Sequence, residues 1–223
     1  KMKWLEKIKK SENINQLPTY KELINYTEAD WKEYFKNDKF YSRVIKEFNI
    51  TIEDIKRFKE DVIQHALNKE KSKELYDELI KLTSKYDSDR YCRFIDEHRE
   101  EVYDELEYED RFMLLKNLYI GAKDCTEIGY MLKEEVLDFG DIIPDLEVEN
   151  IKKVFNGKEK IKAYRGINNY NLKNGCSYTL DKSKAEWFAN RYGDIGYVIE
   201  KEITVDDILF YNDSRKEQEV FLR

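Results

Sequence analysis

The sequence predicts an α+β protein, and two patterns along the chain indicate this class. Over the first two thirds, apolar residues recur every three or four positions, as on one face of a helix. After Thr51 these positions are Ile55, Phe58, Val62 and Ala66. Beyond Asn156-Gly157, apolar and polar residues alternate, as in strands. No internal repeat and no Gly/Ser-rich linker separates the two parts, so we expect them to pack together.

Local signals place the helix boundaries. Thr51 and Asp54 have the spacing of an N-terminal cap, so a helix is predicted to begin there. Its apolar pattern is interrupted by the polar run Asn68–Lys73 and then resumes. Pro144 forces an extended residue or a helix boundary, and a short helix over Val148–Phe155 is predicted after it.

The strand-like segments lie in the last third of the chain. They are Ile161–Arg165, Gly196–Thr204, Ile208–Tyr211 and Glu219–Leu222. Asp181 is the expected N-cap of a helix that reaches Tyr192. These segments are too short to form a whole domain core, so helices from about Glu101 onward should complete it. We therefore predict an acidic helical region over 1–100 and a mixed domain over 101–223.

Composition excludes several classes of protein. The chain has 223 residues, 41% hydrophobic and 14% aromatic, which is too much buriable surface for a disordered protein. The chain has no apolar run of the ~18 residues that span a bilayer, so we expect a cytoplasmic protein with no membrane partner. Three scattered cysteines and two histidines predict no metal site. The chain has a net charge of -7, and the residues before Lys160, with 29 basic and 37 acidic side chains, carry -8, which argues against a non-specific nucleic-acid clamp there.

Four polar features lie where predicted strands end, and strand ends present side chains to clefts. They are Arg165-Gly166, Ser177 with Thr179, Arg191, and Glu217 with Glu219. A guanidinium offers several donors to an anion, and a glycine lets a ligand approach the backbone. Two hydroxyls two residues apart share one face of a strand. The two acids should share a face by the same period, and an acid pair suits a reaction that develops positive charge at a sugar carbon.

Each feature also has a purely structural interpretation. Arg165 would close a surface ion pair, and the hydroxyls would be ordinary polar groups of a half-exposed strand. The glutamates would be solvated charge in a chain that is 39% charged. The order of the features, together with the helix that follows Ser177 and Thr179, favours the functional interpretation.

Three short segments together resemble a known family. They are Lys162-Ala163-Tyr164-Arg165-Gly166, Ser177-Tyr178-Thr179 and Glu217-Gln218-Glu219. In this order they resemble the motifs of ADP-ribosyltransferases of the arginine, serine, glutamate class, which occur in bacterial toxins and in phage-encoded enzymes. The resemblance covers about Glu159 to Arg223 and departs at the second motif, which is commonly Ser-Thr-Ser. It implies a small, mostly antiparallel core of two sheets, with NAD bound in the cleft as co-substrate.

The resemblance also implies a role for each residue. Arg165 would contact the NAD phosphates and the nicotinamide-side ribose, and the backbone of Gly166 would hold the carboxamide. Ser177 would position the ribose and the catalytic acid, with Thr179 in support. Glu219, expected to be exposed in the cleft, would bind the ribose hydroxyls and stabilise the oxocarbenium ion as nicotinamide leaves.

Three further residues have implied roles. Glu217 would activate the acceptor, and in this family an acid there accompanies arginine acceptors, because a carboxylate pairs with a guanidinium and can accept its proton. Tyr211 would touch the target, or else anchor the acidic loop. Arg191 would reach a phosphate, or else complement the dipole at the end of its helix.

The predicted function is therefore an NAD-dependent mono-ADP-ribosyltransferase acting on a target protein that bears the acceptor, with region 1–100 recruiting that partner or covering the site. Three alternatives stay open. An NAD glycohydrolase would use the same NAD-binding residues. An enzyme that modifies nucleic acid is less favoured, because the N-terminal region lacks a basic patch. A non-catalytic helical interaction protein would make the motifs accidental.

Overall fold

The computed structural model describes residues 18–47, 50–83, 93, 95, 97–122, 126–169, 175–193 and 195–223. They divide into two compact units. The first ends at Lys81 and adds Arg99–Asp110, and the second comprises Leu82–His98 and Arg111–Arg223. Within the described ranges, no helix has both the length and the apolar character needed to cross a membrane. Cys92 and Cys125 lie outside the described residues.

Helices make up the first unit. They are α1 (Tyr20–Leu23), α2 (Glu28–Asn37), α3 (Lys39–Glu47), α4 (Ile52–Thr83), which ends just beyond this unit, and α5 (Arg99–Glu105). The predicted start of α4 is confirmed: Thr51 N donates to Asp54 Oδ2 at 2.9 Å, and Asp54 N donates to Thr51 Oγ1 at 3.2 Å. The Thr51 hydroxyl also donates to Asp54 Oδ2, at 2.6 Å, and this hydrogen bond first, then that of the Thr51 backbone, lowers the pKa of Asp54 below its usual value.

The polar run Asn68–Lys73 does not interrupt α4. Lysine and glutamate are good helix formers, so the run weakens only the apolar pattern. Within it, Ser72 is fully buried: its Oγ donates to Asp110 Oδ2 and accepts the N–H of Glu107 at 2.8 Å. A buried hydroxyl with both partners is compatible with a helix interior.

An aromatic cluster forms the core of the first unit. Trp31, Phe35 and Tyr41 are buried together with Leu23, and Phe58 of α4 packs against them. The Trp31 and Phe35 rings are stacked at 5.5 Å, and the Tyr41 ring meets that of Phe58 at 5.2 Å. Burial, with a smaller contribution from nearby Asp38, raises the pKa of Tyr41 to about 12. The cluster therefore favours the protonated phenol.

The second unit combines helices with one sheet. The helices are α6 (Tyr108–Gly121), which begins in the first unit, α7 (Thr126–Asp138), α8 (Asp145–Phe155) and α9 (Lys182–Ala189). The strands are β1 (Ile161–Ile167), β2 (Ser177–Thr179), β3 (Tyr197–Ile203), β4 (Ile208–Asn212) and β5 (Glu219–Leu222). Short 3-10 turns lie at Arg191–Gly193 and Val205–Asp207. The α+β class and the four predicted strands are confirmed.

Three boundary residues act as the sequence predicts, whereas α9 ends at Ala189 and not at the predicted Tyr192. Pro144 directly precedes α8, which begins three residues before the predicted Val148. Asn156 ends α8 in the left-handed conformation, with φ of 48°. Asp181 caps α9 by accepting the N–H of Ser183 at 2.8 Å.

The described strands form one antiparallel sheet, in the order β3-β1-β2-β5-β4, where two small sheets were expected. The reason lies in β2, which pairs with neighbours on both sides. It forms three residue pairs with β5 but only one, Tyr164 with Thr179, with β1. The sheet therefore consists of a β3–β1 ladder and a β2–β5–β4 ladder joined at that single pair.

Helix α9 lies unusually close to β1 and β3, at two glycines. A Cβ on Gly166 would lie 2.2 Å from the backbone oxygen of Ala185 and 2.5 Å from the nitrogen of Ala189. A Cβ on Gly196 would lie 2.2 Å from the oxygen of Ala189. The absence of side chains at these positions lets the helix backbone contact the strands.

A buried ion pair connects two helices to the edge strand of the sheet. Lys116 Nζ of α6 lies 2.5 Å from Glu147 Oε2 of α8, and Glu147 is 1% exposed. The other oxygen, Glu147 Oε1, accepts the backbone N–H of Tyr211 in β4 at 3.0 Å. Both oxygens of this carboxylate thus have partners, which a buried charge requires.

Substitution of Gly166 by alanine should be strongly destabilising. The added Cβ meets helix backbone, which cannot rotate away, so we expect Gly166→Ala to cost about 3 kcal/mol or more of unfolding free energy. Gly157→Ala is the control, because Gly157 has φ of 80° but open space around it, and the strain there costs about 1 kcal/mol. Urea denaturation measures both, and equal losses would contradict the close contact.

The first unit should lose stability at alkaline pH through Tyr41. The pKa of this phenol is about 12 in the folded chain, and the usual value is about 10. Between these two pH values the phenol stays protonated in the folded chain but is ionised in the unfolded chain. Its contribution is complete below about pH 10 and is lost as the pH rises towards 12. Denaturation followed by tryptophan fluorescence should show a smaller loss over this range for Tyr41→Phe. Tyr130→Phe, at an exposed position, should behave like the unmodified chain.

Candidate active site

Glu219 is a buried carboxylate on an inner strand of the sheet. It is the first residue of β5, between β2 and β4, and only 6% of it is exposed. Ser177 Oγ donates to its Oε1 at 2.5 Å, and Asn212 Nδ2 donates to its Oε2 at 3.3 Å. The expectation that Glu219 is an exposed cleft acid is therefore wrong, because the carboxylate is buried and hydrogen-bonded to side chains of both neighbouring strands.

Arg165 is connected to the same group through Ser177. Its Nη1 donates to the backbone oxygen of Ser177 at 2.6 Å, so two hydrogen-bonded contacts lead from Arg165 to Glu219. The guanidinium lies against Gly175, where a Cβ would come within 2.0 Å of Nη2. The three motif residues Arg165, Ser177 and Glu219 thus lie on three adjacent strands and are linked to one another.

The loop between β4 and β5 does not place Glu217 on the strand face that the sequence predicted. Lys216 and Gln218 both have positive φ, of 55° and 46°. Because Gln218 is left-handed, the strand period of two does not extend from Glu219 to Glu217, and the expected shared strand face is wrong. The loop is fixed instead by side chains: Gln218 N donates to Asp213 Oδ1, and Ser214 N donates to Asn212 Oδ1, each at 3.1 Å.

Arg215 of this loop bridges the two acids. Its Nε lies 3.4 Å from Glu217 Oε2, and its Nη2 lies 3.9 Å from Glu219 Oε2. The Arg215 side chain is 50% exposed, whereas that of Glu217 is 23% exposed. The cationic partner that two neighbouring carboxylates require is therefore an arginine of the same loop.

Thr179 and Gly166 make structural contacts at this site. Thr179 is buried: its Oγ1 donates to the backbone oxygen of Glu217 at 2.5 Å and accepts the N–H of Asp181 at 3.0 Å. It thereby fixes the acidic loop to the start of α9. The missing side chain of Gly166 makes room for α9, so the space that the sequence assigned to a ligand at this Cα is filled by the helix.

Tyr211 and Arg191 lie apart from this hydrogen-bonded group. Tyr211 precedes Asn212 in β4 and pairs with Val220, so its side chain is on the opposite face of the sheet from Asn212 and Glu219. Burial, and then Asp213, raise the pKa of Tyr211. Arg191 is exposed in the turn after α9, with its guanidinium 5.0 Å from the centre of the Trp187 ring.

Two residues of the site were not singled out from the sequence. Asn212 ends β4, and only the register of β4 with β5 brings it beside Glu219. Arg215 had a usable signal, because it lies two and four residues before the acids in the run Arg215-Lys216-Glu217-Gln218-Glu219. Within the described part of the chain, no cluster of three or more His, Cys, Asp or Glu residues is placed to hold a metal ion.

The arrangement has defined chemical capacities. A buried carboxylate can stabilise a positive charge or bind sugar hydroxyls, and low local polarity strengthens both interactions. A hydroxyl that donates to it fixes its orientation. No protein-family model, curated protein or solved structure shows significant similarity to this chain.

The Ser177–Glu219 hydrogen bond should be measurable as a coupling energy. Hydrogen bonds to charged groups contribute about 1.5–3 kcal/mol, so Ser177→Ala should lower the free energy of unfolding by about 2 kcal/mol. In a Glu219→Gln background the same change should cost about 1 kcal/mol less, because the acceptor is neutral. Urea denaturation of the four proteins completes the cycle. Ser183→Ala is the control, because it removes an exposed hydroxyl that donates to Asp181, and its effect on the free energy of unfolding should be much smaller. A coupling energy of zero between Ser177 and Glu219 would contradict their hydrogen bond.

Proposed function

We propose that the chain is an NAD-dependent mono-ADP-ribosyltransferase that transfers ADP-ribose to an arginine of a target protein and releases nicotinamide. The observation that carries the proposal is the buried Glu219 carboxylate, held by Ser177 and Asn212 and linked through Ser177 to Arg165. Such a carboxylate, fixed before the reaction, can stabilise an oxocarbenium ion without reorganising.

The sheet supports the same proposal. Its two ladders, β3–β1 and β2–β5–β4, meet at one residue pair, Tyr164 with Thr179. Arg165 comes from the first ladder, whereas Ser177 and Glu219 come from the second. A co-substrate bound across this junction would meet a guanidinium suited to its phosphates and a carboxylate suited to its ribose.

The choice of arginine as acceptor rests on the acid pair. Arg215 already places a guanidinium against Glu217 and Glu219, so the two acids accommodate the group that an arginine acceptor would present. Glu217 is the more exposed of the two, and we assign it the role of accepting the proton from the incoming guanidinium. Glu219 is assigned the stabilisation of the sugar cation. The helices of the first unit would then recruit the target protein.

The Glu219→Gln variant tests the proposal directly. Removing the charge should lower nicotinamide release from NAD by about 100-fold or more, since a group that stabilises charge in the transition state contributes on this scale. Label transfer from labelled NAD to proteins of a bacterial lysate should disappear as well. The matched control is Glu200→Gln, because Glu200 is an exposed acid of β3 paired with Lys162 at 2.6 Å. Equal activity of the Glu219→Gln and unmodified proteins would contradict the assignment.

Glu217→Gln should separate cleavage from transfer. We expect nicotinamide release to persist in this variant while arginine modification falls, because Gln cannot accept the acceptor's proton. Both products are followed in the same assay. If both activities fall equally, the division of roles between the two acids is wrong. If the unmodified chain releases nicotinamide with no labelled protein or nucleic acid, it is an NAD glycohydrolase.

A further inference from the structure

The arginine that bridges the two acids is itself in the position of an acceptor. We propose that Arg215 is a site of self-modification, to which the chain transfers ADP-ribose from NAD within one molecule. This inference rests on the proposed function. It adds a named acceptor, which the motif residues alone do not provide.

An acceptor must lie near the group that takes its proton and near the group that stabilises the ribose cation. Arg215 lies near both. Its guanidinium lies 3.4 Å from Glu217 Oε2, the group assigned to take the acceptor's proton. Its Nη2 also lies 3.9 Å from Glu219 Oε2, the group assigned to the ribose cation. Half of the side chain is exposed, so the guanidinium can shift from this contact when a co-substrate enters.

The loop keeps Arg215 close to the acids. Asp213, two residues before it, accepts the N–H of Gln218 on its side chain and the N–H of Lys216, at 2.9 Å, on its backbone oxygen. Thr179 holds the Glu217 backbone from β2. An acceptor attached to such a fixed loop has a high effective concentration at the site and needs no partner protein.

The reaction balances with the groups already assigned. A nitrogen of the Arg215 guanidinium forms a bond to C1 of the nicotinamide-bearing ribose. The glycosidic bond from that carbon to nicotinamide breaks, and its electron pair leaves with nicotinamide, which becomes neutral. The proton lost from the guanidinium passes to the Glu217 carboxylate and from there to water.

Other arginines supply internal controls. Arg43 is also exposed and paired, with its Nε 3.0 Å from Glu47 Oε1, but it faces one carboxylate of a helix surface. If pairing with an acid were enough, Arg43 would be modified too. If the pair of acids is required, label should be found at Arg215 and not at Arg43.

The test is to incubate the purified full chain with labelled NAD in the absence of other proteins. Intact mass should increase by one ADP-ribose, and peptide mapping should place it on Arg215. The first-order rate constant should not change over a tenfold range of protein concentration, because the transfer is within one molecule. Arg43→Lys should be labelled like the unmodified chain. Arg215→Lys should lose the label, and the unmodified chain should also transfer ADP-ribose to added agmatine, a small free guanidine.

Three outcomes would overturn the proposal, and they are distinguishable. Nicotinamide release or agmatine modification that depends on Glu219, without label on Arg215, would refute self-modification and leave the proposed function standing. A rate constant that rises with protein concentration would show transfer between molecules. A complete lack of Glu219-dependent nicotinamide release would remove the proposed function and this inference together.

Discussion

The buried carboxylate of Glu147 is the contact on which the second unit most depends. It joins α8 to α6 through Lys116 and to β4 through the backbone of Tyr211. Loss of one partner from such a pair costs about 3–5 kcal/mol, because the remaining charge is left buried. The next residue after Tyr211 is Asn212, which donates to Glu219. The ion pair therefore sets the position of the strand that supplies one of the two donors to the site carboxylate.

A second constraint acts at the other end of the sheet. At Gly166 of β1 and at Gly196, which directly precedes β3, the backbone of α9 contacts the strands, so this helix and these two strands form one closely packed group. Arg165 belongs to that group, whereas Glu219 belongs to the ladder anchored by Glu147. The candidate site thus lies between a part fixed by backbone packing and a part fixed by charge.

Much of this fold follows from local sequence signals. Thr51, Pro144 and Asn156 mark helix ends through their own side chains or rings, and such signals do not depend on distant residues. The strands were predictable from equally local signals, which are alternation in β1 and short apolar runs in β4 and β5, whose residues are almost all buried. The joining of the strands into one sheet was not, because it depends on a single pair between Tyr164 and Thr179.

The candidate site divides in the same way. Residue chemistry and order pointed to Arg165, Ser177 and Glu219, and the structure links these three, while their roles in catalysis stay predictions. The burial of Glu219 and the part played by Asn212 depend on strand register, which no local pattern specifies. The left-handed Gln218 broke the period-two argument for Glu217, because a non-glycine residue at positive φ has no clear sequence signal.

The close contact of α9 with the sheet also bears on how sequences of this kind can diverge. Gly166, Ala185, Ala189 and Gly196 meet at one contact, so a larger side chain at any of them requires the others to move. The solvent side of the same helix, which carries Lys182, Ser183 and Trp187, is under no such constraint. Selection should therefore preserve four small residues as a set while the outer face of the helix drifts.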